Sequence, residues 1–320
     1  MNSLDLVITP GDPEGIGPEV TAKALHALEP LLKKHKIFLV GSSKPFKVHH
    51  RYLKKMNVQF LSPPEPSLPG YQSGWAIEIA TQFVLASPRN RVLITGPISK
   101  ERLQAGGYKF RGHTDFLAKL TLTPAVTMML ANELFKVTLV TNHCALSAVS
   151  KKITLKALHN TFLHSYLFAK EMLGKNNPKI AVLGLNPHAG ESGMLGTEEK
   201  KTISPAISLF MKQFPQAKLS GPHSADSFFA NELRRPMNKR HDIIVAMYHD
   251  QGLIPVKLSD FSNSLNMTLG LPIIRTSVDH GTAFDIAHKN KADPSSMIYA
   301  IQKAILYQNR LYPSSRRKIS

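Results

Sequence analysis

Cysteine is nearly absent from this 320-residue chain. Cys144 stands alone, so no disulfide can form within it, and a reducing, cytoplasmic setting is expected. Tryptophan occurs once and aromatics make up 8%. No aromatic-interleaved basic run offers a stacking platform for nucleic acid. No stretch approaches the roughly 18 apolar residues that a membrane helix needs. The opening residues, MNSLDLVITP, lack the basic start and long apolar run of a signal peptide. Acidic residues are scarce, 22 against 40 Lys and Arg, for a net charge of +18. The cations are dispersed in pairs such as Lys33-Lys34, Lys54-Lys55, Lys151-Lys152 and Arg234-Arg235, with a tail Arg316-Arg317-Lys318. Such pairs read as a solvated surface that favours anionic substrates and cofactors, with weak polyanion binding as the alternative.

What is present is a recurring local unit. A short apolar run of β-formers ends in a turn rich in Gly, Pro, Ser, Asn or His, and a helical pattern often follows. Residues 4–9 lead into Pro10 to Pro18 and a helix with Val20, Ala24, Ala27 and Leu28 on one face. Residues 37–40, 92–95, 180–185 and 243–247 repeat the scheme. Continuous apolar strands alternating with helices predict an α/β fold with a parallel sheet covered on both faces. Residues 126–130 and 136–141 flank Ala131-Asn132-Glu133 and read as an antiparallel hairpin. Residues 62–70 hold four prolines and read as a loop or linker. The length suits two domains. The expected division is an outer domain of residues 1–125 and 258–320, and a central domain of residues 126–257 that contributes to dimerisation.

In an open α/β sheet, ligands bind beyond the carboxyl ends of the strands. Three histidines stand there: His143 after 137–141, His188 after 180–185 and His249 after 243–247. Three imidazoles and an open position describe a catalytic metal site. Their spacing matches no contiguous metal motif, and His113 and His280, in Gly-flanked polar turns, compete for the role. His35, His49, His50, His159 and His164 read as surface or packing residues. The first loop, GDPEGIGPE at 11–19, lacks the G-x-G-x-x-G spacing, so a nicotinamide site must be built differently from a Rossmann domain. Lys100 after TGPIS, His113-Thr114, Lys257, Asn266 and Arg275 are the anion-binding candidates. Glu198-Glu199 reads as an acidic helix start, and Ser224 as an N-cap or part of a functional loop.

These segments resemble the 4-hydroxythreonine-4-phosphate dehydrogenase family of pyridoxal-phosphate biosynthesis. The matching stretches are GDPEGIGPE at 11–19, TGPISK at 95–100, GHTDF at 112–116, TNH at 141–143, LNPHAGESGMLGTEE at 185–199, GPHSADSFF at 221–229, YHDQGLIPVK at 248–257 and NMTLGLPIIRTSVDHGTAFDIA at 266–287. They run in family order along almost the whole chain. The resemblance implies two α/β/α domains with the active site in the interdomain cleft, like isocitrate and isopropylmalate dehydrogenases. It implies a homodimer whose metal site takes ligands from both subunits. By motif, the divalent metal (zinc, magnesium or cobalt) falls to His143, His188 and His249, and the substrate to His113, Thr114, Lys257, Asn266 and Arg275. The implied reaction is oxidation of 4-phosphooxy-L-threonine by NAD or NADP, then decarboxylation to 3-amino-2-oxopropyl phosphate. Lys257 and Asp250 are candidates for the base, and no cofactor-binding residue is assigned. Glu14, Asp115, Ala145, Ser147 and His288-Lys289-Asn290 depart from the family pattern. A paralogous enzyme on D-threonate or D-erythronate 4-phosphate is the nearest alternative, and a phosphate acyltransferase-like enzyme a more distant one.

Overall fold

The fold is described from a computed structural model, which covers residues 3–65, 67–110 and 112–313. The basic tail at 316–318 lies outside the described residues. In chain order the elements are β1 (Asp5–Thr9), α1 (Gly17–Ala27), β2 (Lys36–Val40), β3 (Val58–Leu61), α2 (Pro69–Leu85), β4 (Arg91–Thr95) and α3 (His113–Leu120). Then follow β5 (Thr127–Ala131), β6 (Lys136–Leu139), α4 (Leu155–Leu167), β7 (Lys179–Leu183), α5 (Ser204–Gln213), β8 (Lys218–His223), α6 (Ala225–Arg234) and β9 (Ile243–Ala246). The chain closes with α7 (His249–Ser259), β10 (Leu265–Leu269), β11 (Arg275–Val278) and α8 (Ser295–Leu311). No helix among the described residues is long and apolar enough to cross a membrane.

The chain forms two compact units, Met1–Pro124 with Leu271–Ser320, and Ala125–Gly270. The chain re-enters the first unit after Gly270 rather than after Lys257. The reason is β10, which pairs antiparallel with β5 along its whole length and so belongs to the central unit.

In the first unit the strands run in the order β3-β2-β1-β4-β11, all parallel. β1 and β4 bury four consecutive residues each, as strands covered on both faces must. Val7, Val40 and Leu93 pack there against Ile77, Ala80 and Val84 of α2. Pro18 stands in the first turn of α1, where its missing N–H costs nothing. α1 buries Val20, Thr21, Ala22, Ala24 and Leu25, its C-cap Leu28 is buried too, and Ala27 is exposed. The proline-rich stretch is shorter than its composition implies, because Pro69 already opens α2.

In the second unit the order is β10-β5-β6-β9-β7-β8, antiparallel from β10 to β6 and parallel onward. The expected hairpin is β5 and β6. Asn132, fully buried, closes it: its Oδ1 accepts from Leu134 N at 2.9 Å and Phe135 N at 2.8 Å, the local turn chemistry that favours Asn here. α7 lies so close to the sheet that a Cβ at Gly252 would come within 2.8 Å of Val137 and 2.9 Å of Leu139. Glycine at that position is what lets the helix beginning at His249 sit on β6. At the other edge, the buried Glu232 of α6 holds His241 Nδ1 at 3.0 Å, and His241 and His223 share the Ser220 hydroxyl at 3.0 and 2.8 Å. That chain of polar contacts ties α6 to the β8 edge.

Three histidines packed into the two units carry a pH consequence. Burial depresses the pKa of His35, with Lys34 adding to it. Burial also depresses His164, and burial followed by His241 depresses His223. Each folded value lies below the unfolded one of about 6.5. The unfolded chain therefore takes up protons first as the solution is acidified. The stability these groups contribute is complete above about pH 6.5 and is lost as pH falls below it, until the folded values are reached. Thermal melts should show a lower midpoint at pH 5.5 than at pH 7.5, and an unchanged midpoint would contradict the neutral burial of these rings.

Candidate active site

β6, β9 and β7 are adjacent and parallel, so their carboxyl ends lie along one sheet edge. His143, His249 and His188 leave from those three ends. Side chains splint the turns. Thr141 Oγ1 donates to Met247 O at 2.8 Å. Gln251 accepts from Met247 N at 2.6 Å and donates to Gly184 O at 2.7 Å. All three ends are thereby tied to one another. The rings of His143 and His249 stand 5.6 Å apart between centroids. Asp250 Oδ1 lies 2.7 Å from His249 Nδ1. A carboxylate there makes Nδ1 the proton-bearing nitrogen and leaves Nε2 in the form that binds a metal.

Two recesses flank this turn. One, of about 490 Å³, is lined by Asn142, His143, Cys144, Leu146 and His249. The other, of about 580 Å³, is lined by His188, Asp226, Phe229, Gln251, Ile254 and Leu258. Tyr248 and Asp250 border both. A single chain thus pairs His143 with His249 and places His188 on the other side of Tyr248. Among the described residues, no three His, Cys, Asp or Glu side chains gather to hold one ion. The donor chemistry suits a divalent cation, but one chain offers it in two parts.

The segment around His188 has an unusual backbone. His188, Ala189, Gly190, Glu191 and Ser192 all have left-handed φ, between 42° and 80°. For non-glycine residues this conformation costs roughly 1–2 kcal/mol each and is rarely adopted in runs. The acidic pair does stand at a helix start, with Glu198 at the N-cap and Glu199 in the first turn, and it also reaches back to the segment before it. Glu199, 4% exposed, reaches back to accept from Leu185 N at 2.8 Å, Asn186 N at 2.7 Å and Asn186 Nδ2 at 3.0 Å. Glu198 accepts from Ser150 at 2.6 Å and Asn186 at 2.9 Å, contacts that hold its carboxyl below the usual range. Ser224 does sit at the N-cap of α6, but its hydroxyl turns to Asp226 and makes no capping bond to a backbone N–H.

Four of the six anion-binding candidates, Lys100, His113, Thr114 and Arg275, lie in the first unit. Its strand order reverses beside β1 and β4, and the turns after them pack together: Asp12 N donates to Pro97 O at 2.9 Å. Gly11 is required there, since a Cβ would lie 2.0 Å from that carbonyl oxygen. Arg275, 2% exposed, donates to Thr95 Oγ1 from Nε at 3.1 Å and Nη2 at 2.7 Å, and Thr95 in turn contacts Ser277 at 3.0 Å. Burial lowers the Arg275 pKa to about 9, so the guanidinium is charged at neutral pH. His113 and Thr114 open α3. Burial, then the Arg275 charge, holds His113 far below its ordinary pKa, and its buried Nε2 has no hydrogen-bond partner. A neutral imidazole beside a cation is a ready donor to an anion. Lys257 and Asn266 belong to the second unit, on α7 and β10, with Lys257 Nζ 5.3 Å from the Phe261 ring. Asp12 was not singled out by its sequence. It is 1% exposed, its Oδ2 has no partner, and burial raises its pKa against the pull of Glu14 N and Arg102. Arg102 also binds Glu14 at 2.5 Å and lies 4.3 Å above the Phe284 ring.

The family model for the pyridoxal phosphate biosynthetic protein PdxA matches residues 42–304. The chain belongs to the PdxA family. It is 38% identical to the 4-hydroxythreonine-4-phosphate dehydrogenase of Desulforapulum autotrophicum, covering 93% of this chain and 94% of that one. It resembles the crystal structure of the Klebsiella pneumoniae 4-hydroxythreonine-4-phosphate dehydrogenase with a TM-score of 0.79 and 31% identity, covering 96% of this chain and all of that one. A TM-score of 0.55 at 16% identity to the isocitrate dehydrogenase of Methylococcus capsulatus shows a shared fold. This PdxA-family chain is therefore a dehydrogenase of the pyridoxal phosphate biosynthetic family, on a fold shared with isocitrate dehydrogenase. Two supporting side chains, Glu199 and Gln251, escaped sequence reasoning. Their partners are backbone groups 14 and 67 residues away, and no local pattern reports such contacts.

Thr95→Val removes the hydroxyl that accepts from Arg275 while preserving shape. A buried donor left unsatisfied costs about 1–3 kcal/mol, and chemical denaturation should show a loss of that order. A variant as stable as the parent would mean that Thr95 does not hold the guanidinium.

Proposed function

We propose that this chain oxidises 4-hydroxy-L-threonine 4-phosphate with NAD or NADP and releases CO2 to give 3-amino-2-oxopropyl phosphate. The observation that carries the reading is the pair His143–His249 at parallel-strand ends, with Asp250 fixing His249, in a chain whose PdxA match extends over both units. The buried cation Arg275 and its neutral neighbour His113 supply the anion-binding half. Arg275, His113 and Thr114 hold anionic oxygens of the substrate, assisted by Asn266. The Asp250 carboxylate is engaged with His249, so its role is to orient that ring. Lys257 is then the candidate that takes the hydroxyl proton. A divalent cation held by His143, His249 and His188 would supply charge stabilisation at the hydroxyl oxygen and at the enolate formed on decarboxylation. The nicotinamide supplies the hydride acceptor.

The ligand set is completed in a homodimer, with His188 donated by a second copy of the chain. Two features support this. His188 lies apart from the other two histidines within one chain. Large apolar side chains lining the recesses are exposed: Leu146 at 71%, Leu258 at 82% and Ile254 at 54%, as at interfaces.

NADH formation with 4-hydroxy-L-threonine 4-phosphate, compared with the D-threonate and D-erythronate 4-phosphates and with chelator added, tests the reaction. The threonine compound should be turned over fastest, and chelation should abolish turnover. Preference for a threonate substrate would assign the chain to the paralogous activity. The shared site has its own signature in subunit mixing. His188→Ala mixed with His143→Ala should restore about a quarter of wild-type turnover, since half the dimers are mixed and each has one complete site. His143→Ala mixed with His249→Ala should restore none, because those two ligands come from the same chain. The opposite pattern, or recovery in neither mixture under proven exchange, would refute this partition.

A further inference from the structure

The left-handed residues from His188 to Ser192 lie within one tight helical turn, Pro187–Gly193. Three further backbone bonds tie it, Ala189 N to Asn186 O, Met194 N to Glu191 O and Leu195 N to Gly190 O, all at 3.1 Å. Left-handed conformation is routine for isolated glycines and not for a run with four side chains. Something must over-determine it. Glu199 is placed to do so. Its Oε1 accepts both Leu185 N and Asn186 N, which fixes the entry to the segment. Its Oε2 accepts the Asn186 side chain, and that amide packs so tightly on Gly196 that a Cβ there would lie 2.2 Å from Nδ2. Gly190, at the middle of the run, rests on the same carboxylate, where a Cβ would lie 2.6 Å from Oε2. One buried side chain therefore touches the entry and the centre of the segment directly, and its exit through Asn186.

We propose that Glu199 is a positioning residue for His188. It holds residues 188–192 in the left-handed conformation that presents the imidazole, and so sets metal affinity without itself being a ligand. This rests on the reading of His188 as a metal ligand given above.

The test is cobalt(II) binding to the full-length protein, followed by its visible absorption, for wild type, His188→Ala, Glu199→Gln and the double variant Glu199→Gln/Ala189→Gly. Glutamine keeps the shape and one acceptor for the backbone amides, but presents a donor to the Asn186 amide. Glu199→Gln should weaken cobalt binding about 10–100-fold, the usual effect of losing an outer-shell partner. Glycine at 189 adopts the left-handed conformation without help and should recover part of the lost affinity, which a general loss of fold stability would not allow. Hydrogen exchange across 187–197 in metal-free protein should speed up in Glu199→Gln, with the rest of the protein unchanged. If His188→Ala loses cobalt while Glu199→Gln keeps it, this assignment alone fails. If His188→Ala binds cobalt as wild type does, the metal reading fails and takes this assignment with it. Weakening that glycine does not relieve, with no local change in exchange, also overturns it.

Discussion

A parallel strand that ends leaves amides and carbonyls with no ladder partner, and each must be satisfied by something else. The functional candidates of this chain stand where that happens. At the ends of β6, β9 and β7, Thr141 and Gln251 bind Met247 and Gly184 across neighbouring turns. Beyond β7, Glu199 takes the amides of Leu185 and Asn186. These polar splints make rigid what would otherwise be loose loops, and the histidines are mounted on them. Sheet edge and site are one feature: the termination that creates unpaired backbone also creates the concavity a ligand fills.

The two units treat charge differently. In the first, a guanidinium is buried and held by the Thr95 hydroxyl, with a neutral histidine beside it. Its positive charge is poorly screened by water and strong toward an anion. In the second, the histidines lie at the surface, and a carboxylate orients one of them. The groups proposed for phosphate and for the cation thus have separate structural supports. The exposed cations of the surface, at Lys33-Lys34, Lys54-Lys55 and Lys151-Lys152 among others, add a general positive field that favours the same anionic ligands.

Much of this could be read along the chain. Unbroken apolar runs mark fully buried parallel strands, and the Asn132 turn marks the hairpin. A histidine three to five residues past a strand, as His249, His143 and His188 are, must lie at the carboxyl edge. On α1 the expected face holds except at Ala27, which is exposed while Leu25 is buried, because short apolar helices offer several similar stripes. The place of residues 258–270 was misjudged because pairing of β10 with β5 joins segments about 140 residues apart, and alternation along one strand does not name its partner.

The sequence by itself determined the element types, the strand-end histidines and the family, because those depend on local periodicity and on motifs read in order. Tertiary structure alone decided that His143 and His249 are close while His188 is not. It also decided that Glu199, in the first turn of its helix, reaches back 14 residues to Leu185. It decided as well that Arg275 is a buried cation rather than a surface one. These outcomes turn on which backbone groups are left unpaired once the sheet has formed, and on which distant side chain is near enough to satisfy them.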